Sequence, residues 1–229
     1  MPIPIDGNPL ILVLLATVIA YFCGCFNGAV IVSKYILRDD VRNHGSGNAG
    51  LTNFYRTFGG PLTFVVILTD VLKAVVAILV GASLFSGMAV DVAWVPYFTI
   101  LGKYWSALFC LLGHMFPCMF HFKGGKGILS GGTLVLLLNW RVAAVAWALF
   151  LLLWLTTRYV SLASITATCS APITVYFVYG HNWLYTGLCL AVAALVVWCH
   201  RENIQRLLHG TEKKFKWHVN PTEGKDPPQ

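Results

Sequence analysis

Residues 44–60 read HGSGNAGLTNFYRTFGG, a polar, glycine-rich stretch between two long apolar runs. Gly45, Gly47 and Gly50 let the backbone turn tightly and present its N–H groups. Ser46, Thr52 and Asn53 add neutral donors, with Asn48 beside them, and Arg56 adds a planar, permanently charged fork. A helix starting near Ala49 would aim its free N–H groups and its dipole into the same space. Such an assembly suits a phosphate. A solvated loop with a capped helix start is the plainer alternative.

The flanks decide the fold class. The 229-residue chain is 57% hydrophobic and 11% charged, with a mean hydropathy of +0.70. A soluble domain carries about a quarter charged residues, so the composition predicts an all-α integral membrane protein, a polytopic bundle rather than a water-driven core. The net charge of +7 reads as topology rather than nucleic-acid binding, because the basic residues cluster in loops beside apolar spans. The seven cysteines form no paired framework and read as small buried hydrophobes. The beginning of the chain lacks a basic n-region, so the first apolar run is expected to be a retained helix.

Seven apolar segments are expected. They are Pro9–Ser33, Pro61–Gly81, a run from the connection at Phe85–Tyr97 to Phe116–Phe122, Ile128–Asn139, Val142–Thr156, a helix ending near Tyr179, and Trp183–His200. Ile128–Asn139 has only about 12 residues, against roughly 20 for a full span. In the first run, Gly24 and Gly28 have G-x-x-x-G spacing, which predicts close helix packing; a polar role for Asn27 between them is the other reading. Asp70 and Lys73, three apart within an apolar run, read as an ion pair that pins helix packing more readily than as direct chemistry. Residues 1–215 form the membrane domain, and 216–229 a Pro- and Lys-rich tail.

Alternation with the N-terminus outside puts Lys103 and Arg141 on one side and Lys73 within the membrane. All other Lys and Arg then fall on the opposite side, which is therefore cytosolic. The same side receives three more polar interruptions: GHMFPCMFHFKGGKG at 113–127, RYVSLAS at 158–164 and HREN at 200–203. In the first, Pro117 breaks a helix, and Gly124, Gly125 and Gly127 surround Lys126. The second contributes Ser161 and Ser164. Several motifs are decoys. G-x-G-x-x-G at 45–50 lacks a βαβ context, the Lys126 loop is not G-x-x-x-x-G-K-[ST], and His114 has no Asp five positions on. No cluster of metal ligands accompanies the loops, so neither a metal nor a cofactor is expected. Arg56 and Lys126 with loop amides suit one or two phosphates, and a pocket opening between apolar helices suits a lipid chain.

In order along residues 20–215, roughly, GSGNAGLTNFYR, the DVLK around Asp70, GHMFPCMFHFKGGKG, RYVSLAS and HRENIQRL resemble the bacterial acyl-phosphate:glycerol-3-phosphate acyltransferases, the PlsY family. The resemblance implies a seven-helix transmembrane bundle with cytosolic active-site loops, in the bacterial inner membrane. It implies transfer of a fatty acyl group from acyl phosphate to the 1-hydroxyl of glycerol 3-phosphate. The products are 1-acylglycerol 3-phosphate and inorganic phosphate, in the first committed acylation of phospholipid synthesis. The implied partners are these substrates, membrane lipid and an acyl-phosphate-producing enzyme of the same pathway, with no nucleic acid. Residue by residue, the resemblance implies catalytic roles for Ser46, Arg56, Lys126, Ser164, His200 and Asn203. It implies substrate contacts from Gly47, Asn48, Thr52, Asn53, Gly124, Gly125 and Gly127, and a structural role for Glu202. Because acyl phosphate is already activated, direct attack by the glycerol hydroxyl is expected. The base is either a phosphate oxygen of the donor or His200, oriented by Asn203. Two rival readings stay open. One is a carrier for an organic phosphate, which predicts midplane binding residues and internal repeats; the other is an acyltransferase fed by acyl-CoA or acyl carrier protein.

Overall fold

A computed structural model describes residues 8–215, and every regular element among them is helical. The tail expected at 216–229 lies outside the described residues. Helix α1 (Pro9–Cys25) starts where Asn8 accepts the Leu10 N–H at 2.9 Å and Pro9 fills the first turn, where its missing N–H costs nothing. The first span does not continue unbroken to Ser33. Buried Asn27 starts a new helix, α2 (Gly28–Ile31), by accepting the Val30 N–H at 3.1 Å, and its amide nitrogen donates to the Ala49 carbonyl at 2.9 Å. The segments Pro9–Cys25 and Gly28–Ile36 meet at 43°. Asn27 therefore has a polar role, while the two glycines pack closely as expected. A methyl on Gly24 would strike the Cys110 carbonyl, and one on Gly28 would come within 3.0 Å of the Val66 carbonyl.

Helix α3 (Leu51–Thr57) starts slightly later than expected, with Gly50 as its cap. Helix α4 (Leu62–Ser86) runs past Gly81, and α5 (Val95–Met115) ends before Pro117. Helix α6 (Ile128–Leu138) is followed directly by α7 (Trp140–Thr157), whose cap, Asn139, accepts the Arg141 N–H at 2.9 Å. Then come α8 (Val160–Val178) and α9 (Trp183–Cys199), and α10 (Arg201–Leu208) leaves α9 at 60°.

Among the described residues, four helical segments (α4, α5 with its flanking turns, α7 and α8) are long and apolar enough to cross a membrane. The number is six if the bent pairs α1–α2 and α9–α10 each count as one span. The 11 residues of α6 cover about 16 Å at 1.5 Å per residue, roughly half of the hydrocarbon core. Large apolar side chains such as Phe64, Leu79, Leu152 and Phe177 cover the outside, a surface suited to lipid.

Lipid tails give helices no hydrophobic reason to associate, so close approach must come from small residues and polar bonds. Helices α1, α4 and α5 use both. A methyl on Gly113 would strike the Tyr21 carbonyl, and Gly81 faces Gly102 and Ser106. The expected Asp70–Lys73 ion pair is present at 2.6 Å. Lys73 Nζ also donates to the Phe26 carbonyl at 3.1 Å and lies 2.6 Å from His114 Nδ1, tying α1, α4 and α5 together. Helices α7, α8 and α9 pack in sequence, joined to the first group through α6 and through α5 against α9. A cluster including Ile78, Leu111, Leu134 and Val196 joins α4, α5, α6 and α9.

The polar interruptions meet at one end of this bundle. Arg42 donates to the Phe120 and Lys123 carbonyls at 2.9 and 3.2 Å, and the Phe215 N–H donates to the Arg158 carbonyl at 2.8 Å. At the other end Tyr104 stacks on Tyr185 beside Tyr97 and Tyr179, and Lys103 reaches the Leu137 carbonyl at 3.4 Å. Gly113→Ala should destabilise the folded protein by about 1–3 kcal/mol, the usual cost of overpacking. Gly187→Ala, with nothing within 4 Å of the added methyl, should change little. Thermal unfolding of both variants in detergent checks the contrast.

Candidate active site

The opening loop is shaped by a single side chain. Asn53 Oδ1 accepts the Ser46 N–H at 3.0 Å, and its Nδ2 donates to the Val41 and His44 carbonyls, each at 3.0 Å. Gly45 and Gly47 take the left-handed conformation that this turn requires, with φ of +62° and +67°. A methyl on Gly45 would strike Asn53 Oδ1. Asn53, expected to contact substrate, lines the cavity described below, but its amide is occupied by the loop. The Gly47 N–H is also used, donating to the His44 carbonyl at 2.9 Å.

The second loop is built the same way. The Gly124 and Gly125 N–H groups donate to the Met115 and His114 carbonyls, each at 3.1 Å, closing the end of α5. The N–H groups of Gly47, Gly124 and Gly125 are thus taken by carbonyls of the loops and of the end of α5. Gly127 and the first turn of α6 face the cavity, with the free N–H groups that any helix start carries.

That cavity has a volume of about 590 Å³. Ser46, Arg56, Lys126, Ser164, His200 and Asn203 all line it, as do Asn48 and Thr52. Residues distant in sequence thus share one space. Beyond the polar mouth the lining turns apolar, with Leu111, Leu134, Leu138, Trp147 and Val192.

The mouth carries a continuous set of polar bonds. Lys126 Nζ donates to Asn203 Oδ1. Asn203 Nδ2 donates to Glu212 Oε1 at 2.7 Å, as does Ser161 Oγ, and Arg206 Nε donates to Glu212 Oε2 at 2.8 Å. Arg56 Nη2 reaches the Lys213 carbonyl at 3.5 Å. The Phe215 ring packs against Tyr55 and Trp154, with centroids 6.3 and 5.5 Å apart. The segment after Gly210 therefore folds back across the mouth. Ser164 Oγ donates to the Val160 carbonyl at 2.7 Å, the common back-bond of a helical serine.

Two sequence expectations need correction. Asn203 does not orient His200, because its amide is bonded to Lys126 and Glu212. His200 is held by the Val196 carbonyl, 2.8 Å from Nδ1. A carbonyl only accepts, so Nδ1 carries the proton and Nε2 is the acceptor of the neutral ring. The carboxylate that ties the mouth together is not Glu202, whose side chain is 66% exposed and, among the described residues, approaches Arg206 at 4.0 Å. It is Glu212, whose side chain is 9% exposed.

Burial, helped by nearby Arg206 and opposed by Glu212, lowers the Lys126 ammonium to a pKa of about 8. Burial also lowers the Arg56 guanidinium, with Glu212 partly offsetting it. Burial alone would raise the Glu212 carboxyl, but the bonds from Ser161, Arg206 and Asn203 prevail and hold it below the ordinary range. Cations, neutral donors and an apolar continuation can together hold an anion attached to a chain.

The family model for glycerol-3-phosphate acyltransferase matches residues 14–210. The chain belongs to this family. It is 38% identical over 200 residues to the glycerol-3-phosphate acyltransferase of Fusobacterium nucleatum, covering 87% of this chain and 96% of the relative. Against the enzyme of that name from Syntrophomonas wolfei it is 34% identical over 198 residues, covering 86% and 94%. A crystal structure of PlsY (YgiH), an integral membrane glycerol 3-phosphate acyltransferase, in its glycerol 3-phosphate form superposes with a TM-score of 0.75. The identity is 35%, with 92% of this chain and 96% of that one covered. The lysophosphatidic acid form of PlsY gives a TM-score of 0.72 at 34% identity, covering 89% and 95%. The protein is therefore an acyltransferase of phospholipid biosynthesis.

Sequence reasoning missed Glu212 and His114 in this family member. Glu212 lies beyond a chain reversal that spacing does not reveal. His114 was signalled indirectly, since Lys73 has three protons and Asp70 alone cannot satisfy them. The depressed pKa of Lys126 has a measurable consequence. Below about 8 Lys126 is charged and attracts an anion; as pH rises through that value the charge is lost. Binding of sulfate, whose own charge is constant across this range, should weaken there. Lys126→Arg, charged throughout, should flatten the profile, as calorimetric titration will show.

Proposed function

We propose that this acyltransferase moves a fatty acyl group from acyl phosphate to the 1-hydroxyl of glycerol 3-phosphate. The products are 1-acylglycerol 3-phosphate and inorganic phosphate. The observation that carries the reading is the two-part cavity, in which Arg56 and Lys126 share a mouth that continues into an apolar arm. Both substrates are phosphates and only one carries a chain, so two cations beside one apolar arm suit this pair. The glycerol 3-phosphate and lysophosphatidic acid forms of the PlsY structures agree with the acceptor and product. A carrier would need its cations near the midplane, whereas these lie at the end of the bundle where the loops meet.

In this reading seven segments cross or enter the inner membrane of a bacterium, with α6 the short one. The N-terminus is outside, and the basic mouth opens to the cytosol, where an acyl-phosphate-producing enzyme delivers the donor. Arg56 and Lys126 hold the phosphates and offset charge as phosphate departs. Ser46, Thr52, Asn48 and Ser164 supply neutral hydrogen bonds, while Asn203 positions Lys126. Gly127 and the start of α6 add backbone donors, and Asn53 keeps the first loop in shape.

The glycerol hydroxyl attacks the acyl carbon directly, with no acyl-enzyme. Its proton passes to the departing phosphate. Transfer to His200 would put a second cation in a buried site beside the Lys126–Asn203 pair.

Purified protein in detergent, supplied with acyl phosphate and glycerol 3-phosphate, should release inorganic phosphate and form 1-acylglycerol 3-phosphate. Turnover with acyl-CoA or acyl carrier protein but not with acyl phosphate would reject the donor assignment. His200→Ala should retain substantial rate with an unchanged pH profile. Loss of one limb of that profile would make His200 the base.

A further inference from the structure

His114 is buried, with a side chain 3% exposed, yet it borders the cavity. One edge of its ring faces Lys73, whose Nζ lies 2.6 Å from Nδ1, 2.6 Å from Asp70 Oδ1 and 3.1 Å from the Phe26 carbonyl. An ammonium has three protons and accepts nothing, and here it has three acceptors. Nδ1 must therefore be bare, and the neutral ring carries its proton on Nε2.

No group among the described residues bonds Nε2. Only glycine fits against this edge of the ring, since a methyl on Gly125 would strike both Nε2 and the Ala49 carbonyl. Nε2 is not among the fully enclosed polar atoms that lack a partner, so this unbonded N–H is open to the cavity that His114 borders, where a ligand atom can accept it.

Its position indicates what that ligand atom is. His114 stands between the Lys126 loop and Leu111, one turn back on α5, where the lining changes from cationic to apolar. In an acyl phosphate lying across that boundary, the group between phosphate and chain is the carbonyl. We infer that His114 is a catalytic residue whose Nε2–H donates to the acyl carbonyl oxygen, with Lys73 and Asp70 as positioning residues that fix its tautomer.

The inference rests on the acyl-transfer reading above. The hydroxyl oxygen bonds to the carbonyl carbon, and the carbonyl π pair moves onto oxygen. When that pair returns, the C–O bond to phosphate breaks. The hydroxyl proton leaves with phosphate, and His114 keeps its own. A fixed neutral donor favours the transient oxyanion over the ground-state carbonyl, the condition for raising kcat rather than tightening substrate binding.

His114→Met removes the donor at similar bulk, and kcat should fall about 100-fold or more, the usual effect of losing one oxyanion donor. The KM for glycerol 3-phosphate should stay near wild type. His114→Gln keeps an acceptor for Lys73 and an N–H near the Nε2 position, so it should fold and recover most of the lost rate. Nitrogen NMR of histidine-labelled wild-type protein should show His114 as the neutral Nε2–H tautomer. An unchanged kcat in His114→Met, a loss confined to KM, or an Nδ1–H signature would each overturn the assignment. If wild type uses a thioester donor instead, only the donor assignment fails. The same variants assayed with that donor still decide the role of His114.

Discussion

A buried ammonium in an apolar bundle costs several kcal/mol unless each of its protons finds an acceptor. Lys73 finds three, on α1, α4 and α5. The Phe26 carbonyl is available to it because the first span breaks there, leaving a helix-end carbonyl without an intrahelical partner. Asn27 makes that break and at the same time holds Ala49 at the base of the glycine loop. One charge thus couples the bend of the first span, the packing of three helices and the orientation of a histidine at the cavity wall. Removing any one partner would leave the others buried and unmatched.

The mouth poses the same problem with the opposite emphasis. Arg56, Lys126 and Arg206 are gathered where water is partly excluded, so their mutual repulsion is poorly screened. Glu212 offsets it and also accepts from Asn203 and Ser161, which ties the returning segment to α8 and α10. Glu202 could not do this. Successive helical residues turn by about 100°, so Asn203 faces inward and its neighbour Glu202 faces out.

Residue types revealed the membrane class, the close approach of Gly24 and Gly28, the Asp70–Lys73 pair, and the polar loops that carry Arg56 and Lys126. They did not reveal which loop amides are free. Gly124 and Gly125 have the look of anion-binding residues, but the carbonyls at the end of α5 already take their N–H groups. Whether a glycine presents its amide or only bends the chain depends on acceptors far along the sequence. Glu212 escaped for a related reason. Its place follows from a reversal at Gly210, where φ is +68°, and from Phe215 packing against α3 and α7.

The shortness of α6 gives the cavity its two-part character. Its far end is anchored beside α7, where Asn139 Nδ2 donates to the Tyr179 hydroxyl at 3.2 Å. From there 11 residues bring it back to Leu111 and Met115, beside the last turn of α5. A helix of full span length would carry its unpaired N–H groups out to the surface. This one leaves them inside, facing a space lined by Lys126 on one side and Leu134 on the other. A phosphate moved further in would lose its cations and water, and a hydrocarbon chain moved outward would lose its apolar contacts. Only one orientation of an amphiphile satisfies both ends, and it sets the junction of headgroup and chain against the start of α6.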